Sequence, residues 1–169
     1  MKKRYIVLSV IVLLIVGLLT WRLWPQTLSG LLPDDAYDFT DVYAGVMISV
    51  FENGSADIVR YLLESENQDS SIAADLLDIL KTSEYRPDLR NLTPWTLGVL
   101  HSDGSYDGRS LVLSFYLLEE QTYRDFSITF SGPNQVMISS ERAYGIYHAT
   151  NPETLDALVE YIQTHGQEG

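Results

Sequence analysis

The sequence predicts an α+β protein: an N-terminal transmembrane helix, then an antiparallel sheet of about five to six strands packed by two helices. Three observations predict it. Tyr5 to Leu19 contains no charge and no proline. From Val42 onward, short runs of alternating apolar and polar residues are separated by Asn-Gly, Asp-Gly and Gly-Pro turns. Two stretches, Ser71 to Thr82 and Pro152 to Thr164, instead place their apolar residues at helical spacing.

Lys2, Lys3 and Arg4 precede the first apolar run, and Trp21, Arg22 and Trp24 close it before Pro25. At about 1.5 Å per residue, a helix from Tyr5 to Trp24 spans roughly 30 Å, the thickness of a bilayer's hydrocarbon core. The two tryptophans suit the headgroup layer, and Arg22 reaches water on its long stem. Three cations before the span and one after it predict a cytoplasmic N-terminus. Residues 1–4 then form a cytoplasmic basic tip, 5–24 a single-pass anchor in the cell membrane, and the remainder an extracytoplasmic segment. A cleaved signal peptide shares the charged start and apolar run. Against cleavage, no A-x-A-like site follows Leu19, and Trp21 to Trp24 put bulk where small residues are wanted. The chain has no cysteine, so it has no thiol to acylate as a lipoprotein.

About 145 residues follow the anchor, enough for one domain with its own core. The absence of cysteine excludes disulfides, thiol catalysis and Cys-ligated zinc. Beyond the anchor, seven cations face 23 carboxylates, a formal charge of −16. Such a field repels nucleic acid, anionic lipid and anionic wall polymer and keeps the domain soluble.

The elements follow in order. Residues 25–41, with Gly30, Pro33 and four aspartates (Asp34, Asp35, Asp38, Asp41), read as an acidic tether holding the domain off the membrane. The domain proper is placed at 42–166. Val42 to Phe51 alternates as a strand, with Val46, Ile48 and Val50 against Met47 and Ser49. Asn53-Gly54 is a hairpin signal, because both residues accept positive φ. Ser55 to Leu63 returns as a strand, although Ile58 and Leu62 at i,i+4 would also fit a short helix. Ile72, Leu76, Ile79 and Leu80 form one stripe of the first helix, and Glu84 to Thr93 reads as a loop bracketed by Pro87 and Pro94. Trp95 to His101 alternates loosely. Ser110 to Leu118 is the most apolar strand. In the next, Phe126, Ile128 and Phe130 point one way and Ser127 and Thr129 the other. Gly132-Pro133-Asn134 turns the chain into Gln135 to Ser139, and Arg142 to Tyr147 reads as an edge strand. Asn151-Pro152 opens the last helix, whose Leu155, Leu158, Val159 and Ile162 share a face. Gly166 stops it, and residues 167–169 are expected to fray.

Signals for chemistry are sparse. Asp103, Ser105 and Asp107 stand at alternate positions before Gly108, like the first half of a calcium loop, and are candidate ligands for Ca2+. Ser114 stands where the bidentate Glu of such a loop belongs, and the same residues also make an ordinary β-turn. The histidines, His101, His148 and His165, lack zinc spacing. The sequence has no phosphate-binding glycine loop, no G-x-S-x-G elbow and no S-x-x-K pattern. Paired carboxylates for a hydrolase are compatible with any chain this acidic. Trp95, Tyr144, Tyr147 and His148 form a candidate recognition surface, since Tyr and Trp combine rigidity with a polar edge.

The VMISVFENG hairpin start, the SIAADLLDILKT helix, the RSLVLSFYLL strand and the closing YGIYHATNPETLDALVEYI resemble small membrane-anchored extracytoplasmic domains of unknown function from Gram-positive bacteria. The resemblance covers Val42 to His165 and implies a fold and a location, with no catalytic residues. The expectation is a non-enzymatic binding or protein-interaction module. Its partners would be the lipid bilayer through residues 5–24 and an envelope protein or wall component, not nucleic acid. The alternatives are a calcium-stabilised envelope domain and a carboxylate-based envelope hydrolase.

Overall fold

A computed structural model describes residues 2–39, 41–52, 55–65, 70–92, 107–119 and 122–169. Helix α1 covers Lys2–Arg22. Its segment Tyr5–Arg22 is long and apolar enough to cross a membrane, and none of it is buried against the rest of the chain. The Thr20 hydroxyl donates to the Val16 carbonyl at 2.8 Å, so this polar group is satisfied within the helix.

The rest is α+β, built on one antiparallel sheet. Its strands are β1 (Gln26–Thr27), β2 (Asp41–Glu52), β3 (Ser55–Ser65), β4 (Glu84–Pro87), β5 (Arg109–Glu119), β6 (Thr122–Ser131), β7 (Gln135–Ser139), β8 (Tyr144–Ala149) and β9 (Gln167–Glu168). They lie in the order β1-β4-β8-β7-β6-β5-β2-β3-β9. Among the described residues the sheet therefore has nine strands, more than the five to six expected. The three additional ones, β1, β4 and β9, come from the segments read as tether, loop and frayed end. They are two to four residues long, so even the exposed–buried alternation of β4 covers only four residues, and pairing defines all three. The Ser55–Leu63 ambiguity resolves as strand, since β3 pairs with β2 from Val42↔Ser65 to Glu52↔Ser55. Strand β8 is not an edge, because β4 covers its free side. The Trp95–His101 segment and the Asn53-Gly54 turn lie outside the described residues.

One face of the sheet is dry. Ala44 and Val46 of β2, Leu111, Leu113 and Phe115 of β5, and Phe126, Ile128 and Phe130 of β6 are all buried. Helices α3 (Ser70–Leu80) and α4 (Glu153–His165) pack side by side against this face and against β2 and β3. They bury Leu76, Leu77 and Leu80, and Leu155, Leu158 and Ile162; the stripe of α4 is the predicted one, whereas in α3 Leu77 joins Leu76 and Leu80 in the core and Ile72 and Ile79 are only partly buried. Asn151 Oδ1 accepts the Glu153 N–H at 3.1 Å at the start of α4. The buried Tyr85 hydroxyl of β4 donates to the Leu80 carbonyl at 2.8 Å, tying the end of α3 to the sheet.

The segment after the anchor is not a solvated tether. It forms β1, a four-residue helix α2 (Leu28–Leu31) and a 3-10 turn (Ala36–Asp38). Leu28, Leu31, Leu32, Ala36 and Phe39 are all in the core. Phe39 meets Phe126 edge-on at 4.9 Å, and Phe126 stacks on Phe115 at 4.6 Å. The aspartates that suggested a solvated linker sit on the rim of this packing. Asp35 accepts from Arg124 at 2.6 Å, and Asp34 pairs with Arg142. The terminal residues 167–169 are also held: β9 pairs with β3, and the Gly169 N–H donates to the Arg60 carbonyl at 3.0 Å.

Candidate functional site

Three places on the described residues deserve a functional reading. The first surrounds strand β8. Alternation puts Tyr144, Ile146 and His148 on the open face of the sheet and Tyr147 on the packed face. Beyond Pro87, strand β4 gives way to a 3-10 turn, Leu89–Leu92. Asn91 of this turn takes over the pairing: its Nδ2 donates to the Ile146 carbonyl at 2.7 Å, and its Oδ1 accepts the Ile146 N–H at 2.8 Å. The Asp88 N–H also donates to the Ile146 carbonyl at 2.9 Å, so Asn91 adds the acceptor that the Ile146 N–H needs where the strand ends.

Asp88 holds this corner together. Its carboxylate accepts from the Arg90 N–H at 2.7 Å, from Arg90 Nε at 3.0 Å, from Arg90 NH2 at 2.7 Å and from His148 Nε2 at 2.7 Å. The Arg90 bond is the largest cause of an Asp88 pKa far below the usual carboxylate range. Partial burial opposes the shift, and the Arg90 N–H, the His148 bond and the Arg90 charge add to it. Beside this cluster is a pocket of about 140 Å³, lined by Arg22, Asp88, Asn91, Arg142, Tyr144 and Tyr147 among others. Burial pushes the Tyr147 hydroxyl pKa up, and the nearby Arg22 charge acts against it.

Tyr144 and Tyr147 both line this pocket and His148 joins the adjoining Asp88 cluster, but Tyr147 is a core residue on the packed face and so does not share an exposed surface with Tyr144 and His148, while Trp95 lies outside the described residues. Asp88, Arg90 and Asn91 were not foreseen, because they fall in a stretch read only as a loop. The Pro-Asp pair, a common turn start, is the signal that marks it.

The second place is the open face at β2 and β3. Tyr43, Met47, Ile58 and Leu62 lie there with 36–56% of their surface exposed. Register sets Leu62 opposite Gly45 and Arg60 opposite Met47. A Cβ on Gly45 would lie 3.5 Å from the Tyr43 ring and 3.6 Å from Leu62 Cδ2, so the bare glycine lets these side chains close over the strand.

The third is a cleft of about 440 Å³ beside β9, lined by Leu62, Glu64, His165, Gln167 and Glu168 among others. Glu64 and Glu168 both line it, but the Tyr61↔Glu168 register puts Glu168 on the face opposite to Leu62 and Glu64. His165 is already engaged: its Nδ1 donates to the Tyr161 carbonyl at 2.9 Å, and its ring stacks on Tyr161 at 4.2 Å.

Of the candidate calcium ligands, Asp103 and Ser105 lie outside the described residues. The Asp107 carboxylate accepts from the Arg109 N–H at 3.1 Å and from Arg109 Nε at 2.7 Å, and Arg109 also bonds Asp156. Among the described residues, no group of three or more His, Asp or Glu side chains gathers as a metal site would require. No protein-family model matches the sequence, and the search of curated proteins gives no match.

Proposed function

We propose that the chain is a single-pass, membrane-anchored extracytoplasmic module that binds an envelope protein partner through the open face of its sheet and performs no catalysis. The observation that carries this reading is the exposed apolar group of Tyr43, Met47, Ile58 and Leu62 on that face, opposite the face sealed by α3 and α4. Aromatic and Met side chains grouped on a pleated surface supply the apolar centre a partner strand or helix needs. The anchor supports the location, and its flanking charges support a cytoplasmic N-terminus. The resemblance to anchored extracytoplasmic domains of Gram-positive bacteria points to the same side of the membrane.

The test is photo-cross-linking of the full-length protein in its native membrane, with a benzophenone amino acid at Tyr43, Met47 or Leu62 and a control at Gln163 on α4. The reading expects one discrete adduct from the sheet positions, lost when Ile58→Asp and Arg60→Glu are introduced elsewhere on the patch. Absence of any adduct, or the same adduct from Gln163, would overturn it.

The third place bears on a second reading. A carboxylate hydrolase would use Glu64 and Glu168 in the cleft beside β9. That reading expects Glu64→Gln and Glu168→Gln each to abolish cleavage of a wall glycan by the membrane-embedded protein. Unchanged cleavage in either variant rejects it.

A further inference from the structure

We infer that the domain does not stand away from the bilayer but is seated on it, with Leu89, Leu92 and Tyr144 in the headgroup layer beside the end of the anchor. The inference rests on Tyr5–Trp24 being a membrane anchor. Strand β1 begins at Gln26 and pairs at once with β4, through Gln26↔Tyr85 and Thr27↔Glu84. Two residues extend at most about 7 Å, so this sheet edge lies that close to Trp24. The headgroup layer is itself roughly 5–7 Å deep on each side. A domain whose edge strand starts two residues after an interfacial tryptophan cannot be held clear of that layer.

The side chains at this edge suit it. Leu89, Leu92 and Tyr144 are 63%, 46% and 59% exposed. Leu92 and Tyr144 line the same pocket as Arg22 and Leu23, which places them at the depth of the anchor's last turn. Leu89 begins the turn that Leu92 ends. Trp21 and Trp24, 76% and 65% exposed, extend the patch along the anchor. Arg22 and Arg142 line the pocket and offer charge to lipid phosphates, although Arg142 also pairs with Asp34. The occupant is therefore the bilayer itself, continuous with the surface the anchor already meets. The seated orientation also leaves the Tyr43–Leu62 patch available. Strands β8 and β3 are five places apart in the sheet, about 24 Å at the usual strand spacing.

Depth-dependent quenching tests this on the full chain in vesicles of phosphatidylethanolamine and phosphatidylglycerol. The chain has no cysteine, so Leu89→Cys, Leu92→Cys, Tyr144→Cys, Gln163→Cys and Val12→Cys each give one site for a bimane probe. The expected result is loss of fluorescence at positions 89, 92 and 144 with headgroup-nitroxide lipid, no loss at 163, and loss at 12 only with acyl-chain nitroxide. Quenching at 12 with probes at 89, 92 and 144 as bright as the one at 163 would overturn the seating while leaving the anchor intact. No quenching at 12 would remove the anchor and the seating together.

Discussion

Asn91 serves Ile146 as a neighbouring strand would, donating to its carbonyl at 2.7 Å and accepting its N–H at 2.8 Å. Ile146 is fully buried, so its N–H has no water to turn to. Its carbonyl keeps a second donor in the Asp88 N–H at 2.9 Å. Asn91→Ala should therefore orphan one buried donor and cost about 1–3 kcal/mol, measured by urea unfolding of the detergent-solubilised protein. A Cβ on Gly145 would lie 2.8 Å from Asn91 Oδ1, so Gly145→Ala should displace the same carboxamide. The two substitutions should then be clearly less than additive in a double-mutant cycle.

Phe39→Ala separates a packed segment from a tether. Phe39 is 1% exposed and meets Phe126 at 4.9 Å, so truncation should cost about 3–5 kcal/mol. A solvated tether would tolerate the change within about 0.5 kcal/mol.

Asp88 gives a pH signature. Arg90 and His148 face its carboxylate, and its folded-state pKa lies well below the unfolded value of about 3.9. A depressed carboxylate pKa contributes stability that is present above the unfolded pKa and lost as pH falls toward the folded one. Stability should thus decline below about pH 4, and Asp88→Asn should flatten that part of the acid-unfolding profile while lowering stability at neutral pH.

Gly166 is required by closeness rather than by φ. A Cβ there would lie 2.6 Å from the Ile162 carbonyl oxygen and 2.7 Å from that of Leu62, both backbone atoms. Gly166→Ala should cost about 1–3 kcal/mol and detach β9. The Gly169 amide, bonded to the Arg60 carbonyl at 3.0 Å, should then lose its protection from hydrogen exchange.

What the sequence revealed followed from periodicity. The alternation of Phe126, Ile128 and Phe130 and the helical stripe of α4 marked buried faces directly. What it hid has no sustained period. Strands β1, β4 and β9 exist because backbone meets backbone. Leu28, Leu31 and Phe39 are core residues spaced irregularly among aspartates whose charges are taken up by arginines far along the chain, 89 residues away for Asp35 and Arg124. The candidate site divides in the same way. Tyr144, Tyr147 and His148 stood out as aromatics on one strand. Asp88 and Asn91 reach that strand only through the β4–β8 pairing, 60 residues away for Asp88 and His148 and 55 for Asn91 and Ile146.

Tyr5–Trp24 is proposed above to hold this domain at a membrane, on the side away from the N-terminus. Cysteine accessibility in intact cells tests it most directly, since the chain has no cysteine of its own. A membrane-impermeant maleimide should label Gln163→Cys in intact cells and Lys3→Cys only after permeabilisation, with both proteins staying in the carbonate-washed membrane. Labelling of Lys3→Cys but not Gln163→Cys in intact cells, or release of the protein by the wash, would rule out an anchor with its N-terminus in the cytoplasm.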